Sequence, residues 1–455
     1  VLVAVLDTGI VALTGPEAHP DWASVDGDAS DSTGKLRYGF DFVSPADIDG
    51  DQTPGIDTDP TDIGPSSATS FHGTHVAGTI AAPTDNKIGI AGVGRNVSIM
   101  PLRVLGNCGC GSTFDILQGN LYAAGLANDS GIIPGEKADI INMSLGGGGF
   151  NQTAQDVYSQ VRAAGVIIIA AAGNESTGQL GYPASYEGVV SVSASSHGEG
   201  GTPADIILAE YSNFGAEIDV TAPGGRSFSD ENGDGFDDGI LSTVGLSLDS
   251  SGYSSFNGTS MAAPHVAGVA ALMESVHVGL TPDEFDQALL DKTIVLDVGT
   301  SGRDDFFGAG LIDTLKAVRI AESLAGISPT PQPGEPPLEP ADPIGRISAQ
   351  PERLNFGAGL VSLELRLRNS GDRAASVIVE TLSASSDSLI VSETVVDRSK
   401  LGTYVVNVDR SKLSKGTNEF IIDVKTSVGS LSIPVSLTKP EPAGPIDAGP
   451  LHLIL

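Results

Sequence analysis

From residue 1 to about residue 325, short apolar runs alternate with stretches of helical period. The runs at 1–6, 97–105, 138–144, 166–172, 189–194 and 218–222 are dominated by apolar residues and do not alternate with polar ones. Between them, segments 114–127 and 153–164 space their apolar residues at three and four positions, as amphipathic helices do. Strands apolar on both faces and joined by helices predict an α/β fold, a doubly wound and mostly parallel sheet covered on each side. Thr281-Pro282-Asp283-Glu284 predicts a further helix start, a capping box with proline at the first helical position.

The pattern then breaks. Residues 326–345 carry a proline every few positions, which neither helix nor sheet tolerates, and read as a semi-rigid extended linker. Beyond it the period becomes two: Val361 to Arg368 alternates strictly, and Asn369-Ser370-Gly371 follows as a turn. With further runs at 376–380, 403–408, 419–426 and 430–437, five to seven strands fall within 346–439 and no helical pattern intervenes. That predicts a smaller all-β sandwich of immunoglobulin-like type. A Pro-rich tail, 440–455, follows. The boundaries are therefore 1–325, 326–345, 346–439 and 440–455.

Charge narrows the partners. Lys and Arg number 24 against 57 Asp and Glu, a formal charge of −33, which excludes nucleic acid because phosphates need clustered cations. The same charge suits solubility in salty surroundings. No apolar run approaches the roughly 20 residues a membrane helix needs, so no membrane span is expected. Val1 opens directly into an apolar strand, so residues upstream of it are expected. Cys108 and Cys110 are the only cysteines; a Cys-Gly-Cys ring, two free thiols and an intermolecular bond all stay open.

Four segments carry candidate chemistry. Asp7 ends an apolar strand and is followed by Thr8-Gly9, so it is either a turn residue or a carboxylate at the strand end where open α/β sheets place their sites. His72 opens a helix lined with small residues, and His75, three positions on without an intervening Glu, reads as a packed helical histidine rather than one of a metal pair. Ser260 lies at a helix start within Asn257-Gly258-Thr259-Ser260, as a plain cap or as a nucleophile beside free backbone amides. Asn174 follows the apolar run ending near Ala172, closing a turn or offering a side-chain donor to an oxyanion.

Taken together, in the order Asp, His, Asn, Ser, these segments resemble the subtilisin family of serine peptidases, over nearly all of residues 1–325. The resemblance implies a secreted serine endopeptidase of broad specificity acting on polypeptide substrates as a monomer. It implies that Asp7 orients His72, that His72 takes the proton of Ser260, and that Asn174 completes an oxyanion hole. It also implies that Ser144, Leu145 and Gly146, with Ala171, Ala172 and Gly173, wall the pocket for the residue before the cut. Gly109, Cys110 and Gly111 would form an edge that pairs with extended substrate. The alternative function is an inactive peptidase-like scaffold serving as a binding or adhesion protein.

Calcium is the expected cofactor. Asp230, Asn232, Asp234 and Asp238 fall at positions 1, 3, 5 and 9 of a calcium-type loop, with Gly235 at 6 and Phe236 at 7, where such loops use a backbone carbonyl. Position 12 is Leu241 instead of Glu, which keeps a solvated acidic turn open as the other reading. By the family resemblance, Asp21 and Asn86 would ligate a second calcium. The acidic stretch from Asp47 to Asp62 reads as a cation-binding loop or a solvated one.

Overall fold

In the computed structural model, the described residues are all except 12–18, 24–34, 51–52, 54, 65–70, 180, 199–204, 232, 234, 248–249, 328–346, 352, 357–360, 370–376, 397 and 440–455. The expected tail, and the expected linker from 328 onward, lie outside the described residues. The chain divides into two compact units, Val1–Thr330 and Pro331–Leu455.

The first unit is built on a ten-stranded sheet. From edge to edge its strands are Val295–Leu296, Leu311–Ile312, Val220–Pro223, Val189–His197, Ile167–Ala171, Ile140–Met143, Leu2–Asp7, Ser98–Arg103 and Phe40–Asp41, with Ile206–Leu208 paired antiparallel to Val189–His197. From Leu311–Ile312 across to Phe40–Asp41, neighbours run parallel. Successive side chains on a strand point to opposite faces. Val3 and Val5 accordingly enter one buried core, and Leu2, Ala4 and Leu6 the other. Each face is covered by helices, and for that reason these strands are apolar throughout.

Helices His72–Ala81 and Thr259–Val276 cover the first face and pack through small residues. A Cβ on Gly268 would stand 2.6 Å from Val93 Cβ, so only glycine permits that approach. Thr113–Ala123 and Gln152–Ala163 cover the other face. The capping box forms as expected: Glu284 N–H donates to Thr281 Oγ1 at 3.2 Å, Thr281 N–H to Glu284 Oε2 at 3.1 Å, and the helix runs Pro282–Leu290. A hairpin, Ile240–Ser247 with Ser250–Phe256, was not legible in the sequence, because its second strand is largely serine and glycine.

The second unit holds two four-stranded sheets. One orders Ile347–Gln350, Ser362–Asn369, Gly402–Val408 and Leu389–Val396, all antiparallel; the other orders Leu354–Asn355, Gly429–Lys439, Gly416–Thr426 and Val379–Ala384, with its first pair parallel. The alternation expected for 361–368 is realised: Leu365 and Leu367 are buried while Glu364 and Arg366 face out. Leu365, Leu367 and Val406 of one sheet share a core with Ile422, Val424 and Val435 of the other.

Candidate active site

Parallel strands deliver their carboxyl ends to one edge of the sheet, where α/β folds place reactive groups. Asp7 is the last residue of Leu2–Asp7 and is fully buried. His72 is the first residue of its helix, whose start presses on the turn after Asp7: a Cβ on Gly73 would meet the Gly9 carbonyl oxygen at 2.3 Å. The close approach brings His72 Nδ1 to 2.8 Å from Asp7 Oδ1. Thr8 N–H donates to the same oxygen at 2.7 Å, while Asp7 Oδ2 is buried without a hydrogen-bond partner.

Burial alone would push the His72 pKa down. The Asp7 charge, its hydrogen bond and the more distant charge of Asp62 outweigh that and hold it above the ordinary histidine value. His75 behaves otherwise. It is buried, its Nε2 faces the carbonyl oxygens of Ile240 at 2.8 Å and Ser254 at 3.2 Å, and its ring stacks on Phe256 at 4.3 Å. Burial lowers its pKa to about 3, so it is a neutral packing histidine at any working pH.

Ser260 is the second residue of Thr259–Val276 and is partly exposed. Proline at 264 has no N–H to give the carbonyl four residues earlier, so the carbonyl that loses its helical bond is that of Ser260. Ser144 Oγ replaces the missing donor at 2.7 Å, and is itself held by Asn142 Nδ2 at 3.0 Å. The Ser260 hydroxyl in turn donates to the Ser144 carbonyl oxygen at 3.2 Å. The nucleophile candidate is thus tied at two points to the strand end 140–144.

Asn174 stands at the foot of the same helix. Its Oδ1 accepts from Thr259 N–H at 2.8 Å and Thr259 Oγ1 at 3.0 Å, so the amide nitrogen is the end left to face outward. Gly258, with φ +154° and ψ 162°, sits where side chains are strained. A Cβ built there would stand 3.6 Å from both Asn174 Nδ2 and Ser260 N, so both donors border one small space. Asn213, which sequence reasoning missed, clamps the loop behind: its Oδ1 accepts from Glu175 N–H at 3.0 Å and Thr177 N–H at 3.1 Å, and its Nδ2 donates to Ala172 O at 3.0 Å.

A strand-end acid bonded to a helix-start histidine, with a serine and an asparagine at a second helix start, is the arrangement of one known group of proteins. The subtilase family profile matches residues 1–310. The chain belongs to the subtilase family. Over 339 residues it is 37% identical to "Extracellular protease" of Xanthomonas campestris pv. campestris, covering 70% of this chain and 51% of that one. It is 38% identical over 319 residues to "Halolysin-like extracellular serine protease Nep" of Natrialba magadii, covering 70% of this chain and 47% of that one. A solved structure of proteases from Pseudoalteromonas arctica matches with a TM-score of 0.58 and 36% identity, over 70% of this chain and 90% of that chain. The chain spans about half the length of the curated relatives named here.

In this subtilase a cleft of about 770 Å³ opens beside His72. Ser144, Leu145 and Gly146 line one wall, Cys108 to Gly111 another, and Phe150, Tyr182 and Tyr186 an aromatic end. Ala171 and Ala172 are buried and, with Gly173, are not among its lining residues; Ala172 N–H continues the sheet by donating to Val192 O at 3.0 Å. The edge expected at Gly109, Cys110 and Gly111 is not an extended strand. Cys108 and Cys110 are bonded, with Cα atoms 5.2 Å apart, and Gly109 has φ +65°. Gly106 N–H takes the Cys110 carbonyl at 2.9 Å. A ring closed over three residues forces a turn, and that turn engages the Cys110 carbonyl.

The expected calcium ligands divide. Asp21 and Asn86 do meet, but the Asp21 carboxylate receives donors: Asn86 Nδ2 at 2.9 Å, Tyr253 OH at 3.1 Å and Ile90 N–H at 3.2 Å. Those bonds tie Asp21 and Asn86 together in one cluster with Tyr253. At the other loop, Asn232 and Asp234 lie outside the described residues. Asp230 Oδ2 accepts from Gly235 N–H at 3.0 Å and Asp238 Oδ2 from Glu231 N–H at 2.7 Å; Phe236 is exposed. Among the described residues, no group of three or more His, Cys, Asp or Glu side chains could hold a metal. No helix among them is long and apolar enough to cross a membrane.

The acidic stretch 47–62 is not simply solvated. Asp49 is fully buried in an ion pair with Arg103, which also pairs with the buried Asp41. Asp62 is buried beside Thr8. Carboxylates with fixed partners inside the fold look, in sequence, the same as exposed ones.

Proposed function

We propose that the chain is a secreted serine endopeptidase of broad specificity that works as a monomer on polypeptides. The observation that carries this is the 2.8 Å bond from His72 Nδ1 to the buried Asp7, on the edge where Ser260 and Asn174 also stand. With its Nδ1–H donating a hydrogen bond to Asp7, the imidazole keeps the Nε2 lone pair as the base. Ser260 exchanges its bond to the Ser144 carbonyl for one to Nε2 and attacks the substrate carbonyl as its proton passes to His72. The oxyanion is held by Ser260 N–H and Asn174 Nδ2. His72 then protonates the leaving amine, and water repeats the sequence on the acyl-enzyme. The relatives named as extracellular proteases support both the reaction and secretion.

One observation favours the alternative of an inactive binding or adhesion scaffold: the Ser260 hydroxyl rests on the Ser144 carbonyl. A nitrophenyl ester separates the two. The peptidase releases one equivalent of nitrophenol in a burst before steady turnover, and Ser260→Ala shows none; a folded wild-type protein without a burst overturns the reading. Gly258→Ala puts a methyl group into the space between the two oxyanion donors. We expect kcat to fall roughly 100-fold, as for other small displacements at a reacting centre; an unchanged kcat contradicts this oxyanion site.

Calcium belongs to this reading at the Asp230 loop, where the Asp230 and Asp238 carboxylates and the Phe236 carbonyl are oxygen donors. Its effect there is to hold the loop. Chelation with EGTA is expected to lower the melting temperature, and a melting curve unchanged by EGTA removes calcium from the account. We read the second unit as an immunoglobulin-like accessory sandwich, supported by its two facing sheets.

A further inference from the structure

The stretch around residue 62 is stitched to the turn that follows Asp7. Ile10 N–H donates to the Pro60 carbonyl at 3.0 Å, and Asp62 N–H donates back to the Ile10 carbonyl at 2.7 Å. Gly9, at φ +99°, allows the two segments to touch, since a Cβ there would stand 2.4 Å from Pro60 O. The Asp62 side chain is thereby carried under the site, 4% exposed. Its Oδ2 accepts from Thr8 Oγ1 at 2.5 Å and its Oδ1 from Gly64 N–H at 2.9 Å.

Thr8 is the link. Its backbone N–H donates to Asp7 Oδ1, the oxygen that faces His72. Its hydroxyl accepts from the N–H of Gly73, the residue after His72, at 2.9 Å. A hydroxyl has one proton; because Asp62 takes it, the lone pairs turn to Gly73. Asp7 is held on Oδ1 alone, since Oδ2 has no hydrogen-bond partner. The orientation of Asp7 therefore depends on how firmly Thr8 is anchored.

We propose that Asp62 is a positioning residue for the proton relay, fixing Asp7 and His72 through Thr8 and placing a second negative charge behind the imidazole. The inference rests on the relay described under the proposed function. The charged and titratable groups facing this cluster are Asp7, His72 and Arg103, the last already paired with Asp41 and Asp49, with His75 beyond His72. Burial raises the Asp62 pKa to about 6 against the opposing Thr8 and Gly64 bonds, so above that pH it is an anion.

The sign of the effect follows. A negative charge near His72 favours the imidazolium, so it moves the acid limb of kcat/KM, where the base becomes neutral, to higher pH. Asp62→Asn keeps an acceptor for Thr8 and removes the charge. Its acid limb is expected to move down by roughly half a pH unit. A merely structural residue would lower the melting temperature and leave the limb where it was, and that result overturns the proposal. Should Asp62→Asn not fold, the His72 ring carbon can be followed by NMR in the unsubstituted enzyme, assigned by its loss in His72→Ala. Coupled groups titrate together, so a second inflection near the Asp62 pKa supports the proposal and a single one overturns it. Ser260→Ala run in parallel separates the failures. If it stays active the relay itself is wrong; if it is dead and the limb is unmoved, only the role of Asp62 falls.

Discussion

Ser260→Ala is expected to lower kcat on the order of 10⁶-fold and leave the fold intact. The magnitude is that known for the nucleophile of subtilisin, a member of the same family, and is carried over from it. The structural cost is small because the substitution removes one hydroxyl that is partly exposed and makes a single 3.2 Å bond, to the Ser144 carbonyl. A neutral hydrogen bond of that kind contributes about 1 kcal/mol. The bond that anchors the helix start, from Ser144 Oγ to the Ser260 carbonyl, uses the backbone and survives the change. Turnover of a peptide substrate and the melting curve should therefore part company. Loss of both would make Ser260 structural, and retention of turnover within tenfold would remove it from the chemistry.

The second large effect is at Asn174. Asn174→Ala is expected to lower kcat roughly 100- to 1,000-fold with KM little changed, again the subtilisin magnitude for an oxyanion donor, about 2.7–4 kcal/mol. The reason lies in how the amide is held. With Oδ1 committed to Thr259 N–H and Oγ1, Nδ2 is presented as a donor next to Ser260 N, at no reorganisation cost when charge develops. Asn174 is itself exposed and its loop is clamped by Asn213 through neighbouring backbone groups, so the fold should survive, at a cost of roughly 1–3 kcal/mol because the buried Thr259 N–H loses its acceptor. A donor used only in the transition state affects kcat; one used equally by the bound substrate affects KM. If Asn174→Ala raises KM and spares kcat, Asn174 binds substrate and does not stabilise the oxyanion.

Much of this architecture is visible in the sequence because it depends on local pattern. Residues 2–7 are apolar on both faces since one core takes Val3 and Val5 and the other takes Leu2, Ala4 and Leu6. The capping box at Thr281 is readable for the same reason: its partners lie three residues apart. Asp7 and His72, 65 residues apart, are joined by topology, which no local window reports; there the motif resemblance supplied the link. The details that tune the site are non-local and have no motif. Proline at 264 frees the Ser260 carbonyl, but that Ser144, 116 residues away, occupies it is a matter of packing. Asp62 sits in an acidic run that looks solvated, and only the bridge between residues 10 and 61 buries it. At Gly109 to Gly111 the expectation came from the family resemblance, and the Cys108–Cys110 bond, one of the pairings the sequence left open, gives that segment a turn.

The central claim is that Ser260 is made nucleophilic by His72 and Asp7. A fluorophosphonate at pH 8, followed by peptide mass analysis, tests it most directly. The account predicts a single stoichiometric phosphonyl adduct on the peptide carrying Ser260, absent from Ser260→Ala and formed far more slowly in His72→Ala. An unlabelled but folded wild-type chain, or an adduct that forms at the same rate without His72, would contradict it.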